Sequence, residues 1–122
     1  MLIEVYKVCP AAAWDDARRL GCFRGSADDV ADGFIHLSTA AQLPGTLERH
    51  FSGPDGTSRS GLVLIALDPA RLGPNLRWEP ARDGSLFPHL YGNLDPALAL
   101  SITPLALGAD GRHQLPGSLA RC

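Results

Sequence analysis

The sequence predicts an α+β fold with a mixed or antiparallel sheet. Candidate strands outnumber candidate helices, both helices fall in the first half of the chain, and no regular strand–helix alternation runs through it. The 122 residues suit one domain spanning 1–122 with a single core. Thirteen glycines and 10 prolines call for short elements and many loops, which argues against a long helical bundle.

Leu2 to Val8 alternates loosely, with Ile3, Val5 and Lys7 on one side, and reads as a strand. Pro10 suits the first turn of a helix carrying Trp14, Ala17 and Leu20 at three-residue spacing, and Gly21 stops it. Phe23 to Asp32 is short, polar and loop-like, ending in an Asp32-Gly33 turn that feeds a second strand, Phe34 to Leu37. Ser38 or Thr39 can cap the next helix, which has Leu43, Leu47 and Phe51 on one face and Pro44 in its first turn. Gly53 to Gly61 reads as a loop. The continuous apolar run Leu62 to Leu67 then predicts a central strand buried on both faces. Asp68-Pro69 and Gly73-Pro74 punctuate its exit, and Leu76 to Glu79 makes another short strand. Pro80 to Pro96 is loop-like around an apolar and aromatic cluster, Leu86 to Gly92, and Ala99 to Leu107 forms a late strand interrupted by Pro104.

The net charge of −2 argues against a protein that lives on phosphate-backbone contacts, so no nucleic-acid partner is expected. Ten of the 11 basic residues are arginine, and Lys7 is the exception. The cysteines Cys9, Cys22 and Cys122 are odd in number and lack C-x-x-C spacing. With no signal-like start and no apolar stretch near membrane-spanning length, the expectation is a cytoplasmic chain with free thiols and no membrane contact.

The histidines at 36, 50, 89 and 113 lack the spacing that would set two metal ligands on one element. His36-Leu37-Ser38-Thr39 is more informative, because a polar group emerges where an apolar strand ends and a helix begins. Hydroxyls and unpaired backbone N–H groups meet at such a junction and can hold an anionic or sugar-like ligand. The plainer alternative is that Ser38 and Thr39 only cap the helix. Trp78-Glu79-Pro80 and Phe87 to Gly92 interleave rings with a carboxylate and an imidazole, which suits stacking on a flat ring while bonding its edge. Neither phosphate-loop glycine pattern nor a hydrolase nucleophile motif is present.

Tyr6-Lys7, Trp14, Gly21-Cys22-Phe23, Asp32 to Thr39, Arg49-His50-Phe51, Trp78-Glu79-Pro80 and Leu86 to Gly92 together resemble a bacterial family known only as domain of unknown function 952. The likeness covers essentially the whole chain. It implies an ADP-ribosyltransferase-like fold, a small split α+β sheet with short helices. RNA 2′-phosphotransferases, which use NAD on that fold, open with Leu-Tyr-His-Gly-Thr, continue through a helix ending near Gly-Leu and then present Val-His-Leu-Ser. Val5-Tyr6-Lys7, the Trp14 helix, Gly21 and Ile35-His36-Leu37-Ser38 follow in similar order and spacing. Lys7 falls where those enzymes carry a ribose-binding histidine, and Val8-Cys9 replaces their Gly-Thr.

The resemblance implies that NAD or an ADP-ribose-type nucleotide is the small-molecule partner. Lys7, His36, Ser38, Thr39, Trp78 and Tyr91 would bind it, with Lys7 countering phosphate charge and Tyr91 or Trp78 facing a nicotinamide or adenine ring. Glu79 or His89 would be catalytic, polarising a ribose hydroxyl and stabilising an oxocarbenium-like transition state. Two other readings stay open: a non-catalytic module that binds a metabolite or partner on the same fold, and a metal-dependent hydrolase using His36, His89 and Glu79. The chain is expected to be a monomer or a small homo-oligomer.

Overall fold

The computed structural model describes residues 3–52, 59–81, 83–108 and 112–116. In chain order the elements are β1 (Val5–Pro10), α1 (Ala11–Leu20), α2 (Ala27–Asp32), β2 (Ile35–His36), α3 (Leu43–His50), β3 (Leu62–Leu67), α4 (Pro69–Leu72), β4 (Leu76–Pro80), β5 (Leu86–Leu90) and β6 (Ser101–Leu105). Short 3-10 turns cover Gly73–Asn75 and Pro96–Leu98. The strands form two three-stranded sheets, ordered β1-β3-β6 and β2-β5-β4, and every pairing is antiparallel. The α+β expectation stands, with its sheet antiparallel rather than mixed.

Backbone pairing joins the two sheets just after β2, and a proline accounts for where it begins. In an antiparallel pair the N and C=O of one residue point the same way. Pro88 accepts a bond from the Leu37 N–H at 3.0 Å, so its missing donor also faces Leu37 and the β2–β5 ladder ends after Ile35 and His36. The chain then peels away, and Ser38 pairs with Tyr6 of β1 through two backbone bonds of 2.8 and 2.9 Å. The same short segment therefore edges both sheets, and a cleft opens beside it.

β3 lies between β1 and β6 and is buried along its whole length, as its unbroken apolar run predicts. Val63, Ile65 and Leu67 pack with Trp14 and Ala17 of α1, with Phe23 and with Ile35 and Leu90 of the second sheet. Leu62, Leu64 and Ala66 pack on the opposite side with Tyr6, Val8, Leu43, Leu47 and Leu105. The α1 helix runs from Ala11 to Leu20 behind Pro10 and closes on Gly21, whose φ of 73° suits a residue without a side chain.

Several expectations need correction. The polar stretch before Gly33 is not all loop, because Ser26 and Asp29 form a capping box that starts α2. Leu86–Leu90 is the central strand of the second sheet rather than loop, since its proline falls where the neighbouring strand has already ended. Neither Ser38 nor Thr39 is the helix cap, because α3 begins at Leu43 after Gln42; Thr39 instead exchanges hydrogen bonds with Gln42 in the turn before it. The late strand is shorter, Ser101–Leu105, and includes Pro104, which an edge strand tolerates. The first strand begins at Val5; Leu2, most of the Gly53–Gly61 loop and Cys122 lie outside the described residues.

Candidate functional site

Asp29 is the hub of the site. Its carboxylate accepts the Ser26 N–H at 2.8 Å and the His36 N–H at 3.0 Å, and stands 2.6 Å from His36 Nδ1 and 2.8 Å from the Lys7 ammonium. Lys7 also donates to the His36 carbonyl at 3.1 Å. Burial pushes the Asp29 carboxyl up, but the His36 hydrogen bond and the Lys7 charge more than reverse this and hold it well below the usual carboxylate range. Lys7 and Asp29 are both buried, and each compensates the other's charge. Cys9, two residues along β1, is buried as well, and desolvation pushes its thiol up to about 11, with Lys7 lowering and Asp29 raising it by less.

His36 is gripped from both sides, because its Nε2 lies 2.9 Å from Asp32 on the last turn of α2. A carboxylate only accepts, so both contacts are hydrogen bonds when both ring nitrogens carry a proton. Across the ladder His36 sits opposite His89 of β5, with ring centroids 5.7 Å apart. Phe34 fills the angle between them. Its ring stacks on His89 at 4.0 Å and 19° and lies 4.6 Å from His36 and 5.3 Å from Tyr91.

Strand alternation sets the rest of this face. Arg77 and Glu79 of β4 pair with His89 and Phe87 of β5 and share their side of the sheet. Glu79 Oε1 accepts the Tyr91 hydroxyl at 2.6 Å and stands 2.9 Å from His89 Nδ1. Those two bonds, Tyr91 first, lower the Glu79 carboxyl, and the same contact raises the Tyr91 phenol. The Arg77 guanidinium lies over the Tyr91 ring, 4.9 Å from its centroid.

The cleft beside Ser38 holds a cavity of about 590 Å³. Lys7, His36, Ser38, Phe34, Phe87 and His89 line it from the two sheets, Asp29 and Asp32 from α2, and Arg49 and His50 from the end of α3. Ser38 Oγ lies 2.8 Å from Thr46 Oγ1 on that wall. Of the residues singled out from the sequence, Lys7, His36, Ser38 and His89 converge here. Glu79 and Tyr91 sit behind His89, outside the lining. Thr39 belongs to the turn before α3, and Trp78 pairs with Pro88 on the opposite face of the sheet from Glu79, 43% exposed. Asp29, Asp32 and Phe34 were not singled out, although the Ser26-Ala27-Asp28-Asp29 spacing of a capping box was there to be read.

Among the described residues no group of three or more histidine, cysteine, aspartate or glutamate side chains is placed to hold a metal ion, so the hydrolase reading has no ligand set there. Nor is any described helix long and apolar enough to cross a membrane.

These features define a small α+β protein with a polar, aromatic-walled cleft where two antiparallel sheets meet. Residues 8–102 match the family described as Protein of unknown function (DUF952), and the chain belongs to that family. It is 43% identical to protein CC0527 from Caulobacter crescentus, whose crystal structure covers 96% of this chain and 98% of its own with a TM-score of 0.86. The solution NMR structure of the same Caulobacter protein, 42% identical, gives a TM-score of 0.75 over 88% of this chain and 89% of that one. No curated protein matches.

Proposed function

We propose that the cleft binds a nucleotide of the NAD or ADP-ribose type on an ADP-ribosyltransferase-like scaffold. The observation that carries this reading is the cavity itself: about 590 Å³, within the range of roughly 300–1,000 Å³ typical of small-molecule pockets, with the Phe34–His89 stack on one side and Arg49 and His50 on another. A flat base or nicotinamide ring suits the aromatic wall, and phosphate suits the cationic end of α3. That His36 and Ser38 both line this cavity supports the reading. Lys7 lines the cavity with its ammonium already engaged by Asp29 and the His36 carbonyl, so on this reading it orders α2 and His36 and Arg49 meets the phosphate.

Isothermal titration of the purified protein with NAD and with ADP-ribose tests the reading. Saturable heat with at least one of them is the expected result, and no heat with either at millimolar concentration overturns it.

The engaged Lys7 also favours a second reading, a cleft that binds the ligand without turning it over, because no free imidazole stands at that position of β1. It predicts that His36→Ala abolishes binding and that bound NAD releases no nicotinamide.

A further inference from the structure

We infer that His89 is the proton-accepting group of the cleft and that Glu79 is its positioning residue, a division of labour that rests on the nucleotide reading above. His36 and His89 are cross-strand neighbours with opposite surroundings. Both nitrogens of His36 are already taken up by carboxylates, so neither is free to meet a ligand. His89 meets a carboxylate only at Nδ1. Its Nε2 has no hydrogen-bond partner among the described residues, and the ring lines the cavity.

Glu79 fixes which nitrogen holds the proton. The Tyr91 hydroxyl donates to the same Oε1 that faces His89, and Arg77 stacks over the Tyr91 ring. The carboxyl lies below its ordinary value, so it is ionised at neutral pH and only accepts. Neutral His89 therefore carries its proton on Nδ1 and presents the Nε2 lone pair. Phe34, stacked at 4.0 Å, holds the plane of the ring. Carboxylate, imidazole and a free second nitrogen make the arrangement of a general base with its orienting group.

Toward a bound NAD the step balances with water alone. Nε2 accepts a proton from a water whose oxygen bonds the anomeric carbon of the ribose. The bond from that carbon to the nicotinamide nitrogen breaks, and its electron pair leaves with nicotinamide. His89 then returns the proton to solvent.

Two measurements test this, one of them without ligand. Long-range proton–nitrogen NMR correlation at about pH 8.5, where an ordinary imidazole is neutral, should show His89 with its proton on Nδ1. In Glu79→Gln that preference should be lost. An Nε2-protonated ring in the unsubstituted protein overturns the proposal.

Nicotinamide release from NAD is the second measurement. His89→Ala and Glu79→Gln should each slow it by about 100-fold or more, with the Glu79→Gln loss confined to kcat while KM holds. Heat on NAD titration with no nicotinamide released overturns the proposal and leaves the binding reading standing. Absence of heat with NAD overturns the proposal, and absence of heat with both NAD and ADP-ribose overturns the binding reading as well.

Discussion

The Lys7 ammonium lies 2.8 Å from Asp29 Oδ2, and both side chains are almost wholly shut off from water. A buried ion pair is tolerated only when both charges are compensated and their remaining bonding positions are filled. Asp29 meets that condition with donors from Ser26 and His36, and Lys7 with the His36 carbonyl. Replacing Lys7 by Met leaves the Asp29 charge buried without its counter-ion, so urea unfolding at neutral pH should show a loss of about 3–5 kcal/mol. A loss below about 1 kcal/mol, the range of an exposed pair, would mean that Asp29 is stabilised without Lys7.

Burial of Cys9, two residues along β1 from Lys7, gives the fold an alkaline signature. Its folded pKa of about 11 lies above the ordinary 9.0. A raised pKa favours the neutral thiol in the folded state, so the contribution is complete below 9.0 and disappears as pH rises through about 11. The shift corresponds to about 2–3 kcal/mol. Denaturation of the unsubstituted protein and of Cys9→Ala, compared at about pH 8 and about pH 11, should show the unsubstituted protein losing that much more. Parallel losses would place the alkaline instability elsewhere.

Gly25 faces Asp29 more closely than a side chain allows. At its φ of +103° a Cβ would stand 2.6 Å from Asp29 Cβ and 2.8 Å from Oδ2. Gly21 has a φ of +73° with nothing within 4 Å, so it isolates the backbone cost. Thermal or urea unfolding should charge Gly21→Ala about 1–2 kcal/mol and Gly25→Ala about 3 kcal/mol or more. Only Gly25→Ala should disturb the His36 ring resonances. Equal costs would show that α2 shifts freely and that the Asp29 geometry is not fixed by Gly25.

The fold was legible in the sequence wherever one local signal dominated. The apolar run at 62–67 announced a strand buried on both faces, and Pro10 with Gly21 bracketed α1. Pro88 concealed β5, because a proline argues against a central strand unless the neighbouring ladder is known to end beside it. The motif around His36 fell on an expected strand and the one around His89 on an expected loop that is β5, and the two histidines pair across that ladder. The role of Lys7 was not readable, since it depends on Asp29, 22 positions away on an element disguised by its polar composition. Trp78 shows the opposite failure: adjacent in sequence to Glu79, it is carried to the other face by the period of a strand.

Phe34 provides the sharpest test of the cleft as a ligand site. It is half-buried and touches three rings of the cluster, His36, His89 and Tyr91, so its removal should alter the aromatic wall more than the core. Phe34→Leu keeps apolar bulk but loses ring-on-ring geometry, a difference of about 0.5–1.5 kcal/mol per aromatic pair. Calorimetric affinity for NAD or ADP-ribose should therefore fall roughly three- to tenfold, while Phe34→Tyr holds most of it. Trp78→Leu, on the far face of the same sheet, should leave the affinity where it is. If Phe34→Leu binds as tightly as the unsubstituted protein and Trp78→Leu does not, the ligand sits on the outer face of β4, and the cleft between the sheets is not its site.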